Sequence, residues 1–161
     1  MPHAVRERIY VGIIIALLLV TLTMAYKFII AGSTTTGADG RVAIVLEPGE
    51  RALVLREMRQ FVVGLQRIND ALSRDDMQAV AKASRALGTP KTHDVPMALM
   101  GKLPLKFKTL ALGVHSDFDA IAADAQRGGV AKRTLGQLSD ALRKCTACHE
   151  SYQLSDATRK S

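Results

Sequence analysis

The sequence predicts an all-α protein, an antiparallel four-helix bundle preceded by one transmembrane helix, and three observations carry that prediction. The 48% apolar content leans on Ala, Leu, Val and Ile, with 4% aromatics and no tryptophan, a composition suited to packed helices rather than a β-sandwich. A long uncharged run lies near the N-terminus. From Glu50 onward, apolar residues recur every three or four positions through four segments punctuated by Gly and Pro. At 161 residues the chain has room for one ordinary domain plus an accessory segment.

The first element is the uncharged run. Tyr10 to Tyr26 (YVGIIIALLLVTLTMAY) contains no ionisable residue other than its tyrosines, and Phe28, Ile29 and Ile30 resume the apolar character after Lys27, which is long enough to span a bilayer. Arg6 and Arg8 precede it and only Lys27 follows closely. The positive-inside asymmetry therefore keeps the N-terminus cytoplasmic and places the rest on the periplasmic side of a bacterial inner membrane. Thr23-Met24-Ala25 and Ala31-Gly32-Ser33 resemble signal-peptidase sites, but the length of the run favours a single-pass anchor that stays attached. Residues 1–30 are thus expected to be a transmembrane anchor or uncleaved signal. Residues 31–47, beginning AGSTTTGADG, are expected to be a flexible tether in which Val42 to Leu46 is a short extended piece without a real sheet. Residues 48–161 remain for the helical domain.

The first helix of that domain runs from about Glu50 to Leu72, with Leu55, Met58, Val62, Leu65 and Leu72 along one stripe and Phe61 and Ile68 widening it. Ser73-Arg74-Asp75-Asp76 reads as a capping box for a second, shorter helix whose inner face holds Met77, Val80, Ala81, Ser84 and Leu87. Pro90, Pro96, Gly101 and Pro104 mark the long connection of the fold. A third helix starts near Leu105, carries Phe107, Leu110, Ala111, Val114, Phe118, Ile121 and Ala125 inward, and stops at Gly128-Gly129. The fourth has the stripe Leu135, Leu138, Leu142, Cys145, His149 and Tyr152, so the residues CTACHESY face the bundle core.

Those eight residues contain the only two cysteines of the chain. Cys145 and Cys148 stand on neighbouring turns of one face, and His149, four beyond Cys145, points the same way. C-x-x-C-H is the attachment sequence of c-type haem, in which two thiols become thioethers and the histidine ligates iron. Other chemistries fit less well. A thioredoxin-type pair wants a βαβ setting, a structural zinc site wants four ligands where only His93 and His115 are left to join the motif, and a disulfide across two residues closes too small a loop to stabilise much. Export agrees with haem attachment outside the cytoplasm. One haem c per chain follows, held by Cys145, Cys148 and His149.

Only twelve residues follow His149, so a sixth iron ligand has to come from upstream, which suits a four-helix bundle with the haem on its last helix. The chain resembles the class II cytochromes c, the cytochrome c′ and c556 family, in which C-x-x-C-H-x-x-Y closes the final helix. Cys145, Cys148, His149 and Tyr152 match position by position, and the likeness covers roughly Glu50 to the C-terminus. Where that family usually continues with a basic residue, this chain has Gln153 and Leu154.

The resemblance implies a distal residue from the first helix, where Met58 is the candidate ligand; a methionine ligand makes a low-spin electron carrier. If Met58 only packs, Leu55, Phe61 and Val62 wall an apolar pocket suited to nitric oxide or carbon monoxide. His115 offers a bis-histidine alternative, Met97, Met100 and His93 lie in the long connection, and Arg56 and Arg59 are candidate contacts for the haem propionates. Three of the 22 Lys and Arg and one of the 15 Asp and Glu lie in residues 1–30, which leaves +5 on the remainder, part of it at Lys91, Lys102, Lys106 and Lys108. Such a surface steers an acidic redox partner. Expected partners are therefore periplasmic or membrane redox proteins and the membrane itself. Nucleic acid is disfavoured by the exported location and the lack of aromatic interleaving. Pairing of two copies through the first two helices is a further implication of the resemblance. No nucleophile–base pair, paired carboxylates or phosphate loop supports an enzyme.

Overall fold

The computed structural model describes residues 3–89 and 95–158. Among the described residues the chain is mostly helical, with six α-helices, one π-helical turn and a small three-stranded sheet. Helix α1 (His3–Ala25) runs into the π-helical turn Tyr26–Ala31, and together Glu7–Ala31 has a mean hydropathy of 2.4 with none of its most apolar stretch buried. It is long and apolar enough to cross a membrane, as an anchor or as a signal sequence.

The chain leaves that helix against the domain. Gly32 adopts φ +67° with its backbone pressed on Lys102 to Pro104, a conformation and a closeness that a side chain would disturb. Ser33 then donates its N–H to the Lys102 carbonyl (2.7 Å). The following residues correct the expectation of a tether without a sheet. Strands β1 (Thr34–Thr36) and β2 (Val42–Leu46) pair antiparallel, and β3 (Tyr152–Asp156) pairs parallel on the other side of β2, with Val42 opposite Tyr152 and Ile44 opposite Leu154. Ala43, Ile44 and Leu46 are buried, the latter two completely. Burial of that apolar run, with ladder bonds on both sides of β2, is what holds the segment in place.

Helix α2 (Pro48–Leu72) begins at a proline in its first turn and a reciprocal capping box between Glu47 and Glu50. Helix α3 (Met77–Arg85) is capped by Asp76, whose carboxylate accepts from the N–H of Ala79 (2.9 Å). The capping box expected from Ser73 does not form, because the Ser73 hydroxyl donates backward to the Asp70 carbonyl. A short helix α4 (Met97–Lys102) interrupts the long connection; His93 and Lys91 lie outside the described residues. Helix α5 (Leu105–Gln126) stops where Gly128 turns to φ +84°, and α6 (Ala131–Ser151) follows.

Close backbone approach joins α2 to α3, α3 to α5 and α5 to α6, while α2 and α6 share side-chain clusters, Ile68 with Leu138 in one and Met58 with Cys148 in the other. Ile68, Val80, Val114, Phe118, Ile121 and Leu138 centre one core cluster; Ile44, Leu46, Val54, Leu99, Leu103 and Phe107 form a second, between the sheet, α2, α4 and the start of α5. Of the expected α2 stripe Ile68 and Leu72 are buried and Leu55, Met58, Phe61 and Leu65 half-buried, with one departure. Val62 is 67% exposed, whereas Val54, Gly64, Ile68 and Ala71 are buried. Gly64 sits under Leu87, where any side chain would collide. Close helix packing selects small residues that an apolar count overlooks.

Candidate functional site

The C-terminal half of α6 carries the C-x-x-C-H motif. Its inward line runs through buried Thr134, Leu138 and Ala141 to half-buried Cys145 and Cys148 and on to Tyr152 in β3. This corrects the phase of the expected stripe, since Leu135 and Leu142 are 53% and 43% exposed and His149 is also exposed. On this face, which packs close to α5, the small residues Thr134 and Ala141 are buried beside Leu138. Cys148, Cys145 and His149 thus span an arc of about 100° of the helix, with Cys148 at its inner edge and His149 at its solvent edge.

Cys145 packs against the first core cluster and Cys148 against the second. Burial pushes both thiols above their ordinary pKa, with smaller contributions from the Asp117 carboxylate at Cys145 and from Cys145 at Cys148. Such thiols stay protonated at neutral pH, the opposite of the lowered thiol that a dithiol redox enzyme needs. The His149 imidazole has no partner among the described side chains.

Three devices hold this end of α6. Tyr152 donates its N–H to the Cys148 carbonyl and then enters β3 alongside β2. Its ring meets Phe107 edge-on with centroids 5.5 Å apart. Arg41, just before β2, donates from one guanidinium nitrogen to the carbonyls of His149 (3.0 Å) and Tyr152 (3.3 Å), satisfying helix-end acceptors and opposing the negative end of the helix dipole. Asp39 orients Arg41 through an ion pair at 2.7 Å, and the Arg41 hydrogen bonds hold the Asp39 carboxyl below its ordinary pKa. Gln153 also donates to Asp39 (2.9 Å). The chain therefore sets a cation beside the motif even though Gln153 and Leu154 follow the tyrosine. The helical count passed over Arg41; the period-two alternation of Val42, Ile44 and Leu46 was the signal of a strand that could carry it there.

Met58 lies half-buried on α2 against the same cluster as Cys148 and Tyr152. Phe61 and Leu65, further along α2, pack with Cys145 on the first cluster. The motif cysteines and these residues of α2 therefore meet at a seam formed by the two core clusters. Arg56 and Arg59 are exposed and stand outside that seam. Leu55 is half-buried, but Val62 points to solvent and so does not wall a distal pocket in this structure.

His115 is buried and both its ring nitrogens are engaged: Nδ1 lies 2.8 Å from the Leu87 carbonyl and Nε2 3.2 Å from Glu57. Burial alone would lower its pKa, but hydrogen bonds to the Glu57 carboxylate and the Leu87 carbonyl outweigh it and raise the value above 6.5. These partners make it a core histidine rather than a ligand. Of the connection's methionines, Met100 packs on the second cluster and Met97 is exposed.

The donor set fits a covalently held haem. Two protonated thiols share one half-buried helix face, an uncommitted imidazole is the next residue, and the apolar side chains of Met58, Phe61 and Leu65 pack in the clusters that hold the cysteines. Comparison of the chain with protein-family models, with curated proteins and with solved structures returned no match.

Proposed function

We propose that the chain is a membrane-anchored c-type cytochrome, with one haem attached through Cys145 and Cys148 and ligated by His149, that passes single electrons between redox proteins on the periplasmic side of the inner membrane. In this reading α2, α3, α5 and α6 form an antiparallel four-helix bundle of the class II cytochrome type. The observation that carries it is the placement of the only two cysteines, half-buried and three apart, on the inward edge of α6, within core clusters shared with Met58, Phe61 and Leu65 of α2.

Haem, when bound, supplies a one-electron couple. The protein's part is positioning. Cys145 and Cys148 hold the group on α6, His149 offers its ring nitrogen, and Met58 on the facing helix is the candidate thioether for the opposite side. Phe61 and Leu65 keep that edge dry, which raises the cost of charge and so tunes the potential. Arg41 holds the helix end against which the histidine is braced. The carboxylates, nucleophiles and bases of a hydrolytic or transfer enzyme are not part of the proposal, and redox proteins are the expected partners. The unburied α1 supports anchoring, and the excess of Arg6 and Arg8 over Lys27 supports an N-terminus in the cytoplasm.

The test is the visible spectrum of the full chain matured with periplasmic export, oxidised and reduced, with and without carbon monoxide. A haem that stays with the denatured chain and a sharp reduced α-band unmoved by carbon monoxide support the electron carrier. A high-spin spectrum altered by carbon monoxide replaces it with a gas-binding haem protein. Absence of covalent haem overturns both.

A further inference from the structure

The end of the apolar helix is built into the domain, and its depth in a bilayer sets the depth of what it touches. Tyr10 and Tyr26, both exposed, bracket the uncharged run, sixteen residues apart, the place of the aromatic belts at the two membrane–water boundaries. At about 1.5 Å per residue the run between them covers roughly 24 Å, close to the thickness of a bilayer's hydrocarbon core. Tyr26 therefore sits at headgroup level, and so does the π-helical turn that begins with it.

That turn is fastened to α4 and α5. Phe28 lies over Gly101, so closely that a side chain there would meet its ring at 2.9 Å. Lys108 donates to the Ile29 carbonyl (3.0 Å), and Ser33 donates to the Lys102 carbonyl. The first turn of α5 and all of α4 are thereby held within a few residues' rise of Tyr26. On α4 Met97 is 83% exposed and in the first turn of α5 Leu105 is 40% exposed, while Lys106, its neighbour in the chain, and Lys27, in the π-helical turn, are exposed as well. Isolated exposed apolar residues need no explanation, but apolar side chains interleaved with lysines at the depth of the headgroups have the composition of an interfacial surface.

We infer that the α4–α5 corner is a membrane-surface footprint, in which Met97 and Leu105 enter the interfacial layer of the leaflet from which α1 emerges while Lys27 and Lys106 meet anionic lipid phosphates. This rests on the anchor part of the proposed function and is independent of the haem. The footprint fixes the tilt of the domain, because the junction at Gly32 and Ser33 is bonded rather than free, and with it the side of the domain that redox partners approach.

The absence of tryptophan makes the test direct. Single reporters Met97→Trp and Leu135→Trp are made in the full chain and placed in lipid nanodiscs of phosphatidylcholine, alone or mixed with phosphatidylglycerol, with and without bromine on the acyl chains. Leu135 is the control, since it is exposed near the start of α6, at the end of the domain opposite the first turn of α5. The expected result is a blue-shifted Met97→Trp emission, quenched by brominated lipid several-fold more than that of Leu135→Trp. The quenching should strengthen with phosphatidylglycerol, and the strengthening should disappear in Lys27→Glu/Lys106→Glu. Equal, weak quenching of both reporters in discs that carry the chain overturns the footprint while leaving the anchor intact. A chain that does not co-elute with the discs overturns the anchor reading itself.

Discussion

Ile44 offers the sharpest test of the sheet that ties the N-terminal segment to the motif. Its side chain has no exposed surface and belongs to the core cluster on which Met58, Cys148 and Tyr152 pack. Ile44→Ala removes three buried carbons, about 2.4 kcal/mol at roughly 0.8 kcal/mol each. The cavity left behind adds on the order of 1 kcal/mol, because β2 is paired on both sides and cannot collapse inward. A loss of about 3 kcal/mol is a large share of the roughly 5–15 kcal/mol that a domain of this size possesses. Urea unfolding of the full chain in detergent micelles, followed by helical circular dichroism, measures it as a lowered midpoint with unchanged slope. A loss under about 1 kcal/mol would refute the reasoning, since a residue in a flexible tether contributes no core burial.

Arg41→Ala should lower stability by roughly 1 kcal/mol, discounted from the value of two charge-assisted hydrogen bonds because the guanidinium is partly exposed, and urea unfolding checks this too. In Met58→Ala the haem should remain covalently attached while the reduced spectrum becomes responsive to carbon monoxide; an unchanged spectrum would remove Met58 as ligand. The His115–Glu57 pair predicts a pH dependence of definite sign. With the folded pKa raised above 6.5, the protonated ring stabilises the fold fully below that value, and the contribution is lost as pH rises through the folded pKa. Unfolding midpoints should therefore fall as pH rises above 6.5, and Glu57→Gln, which removes the raising carboxylate, should flatten or invert that trend.

What could be read from the chain, and what could not, divides by the range of the interactions involved. That Cys145, Cys148 and His149 share one helix was legible because helical spacing is local, and the limits of α5 were legible because Pro104 and Gly128 act on their own neighbours. The pairing of Val42 with Tyr152 was not, because it joins residues more than a hundred positions apart in a segment whose first ten residues have the composition of a linker. The phase of α6 failed for a related reason. Whether Leu142 or Ala141 turns inward depends on how near α5 comes, which no count of apolar residues along one helix contains.

These long-range features share one place in the molecule. Lys108, which holds the Ile29 carbonyl, is the neighbour of Phe107, and Phe107 stacks edge-on against Tyr152, the residue that ends the motif helix. Ile44 and Leu46 fill the space behind them. The end of the apolar helix, the sheet and Cys148 are therefore parts of one packed layer, and the proposed haem would lie at that end of the domain. In the proposed electron carrier, a partner lying in or on the same membrane would be met sooner than one diffusing freely, because α1 as an anchor would confine the chain to that surface and the bonded junction at Gly32 and Ser33 would present the same side of the domain at each encounter.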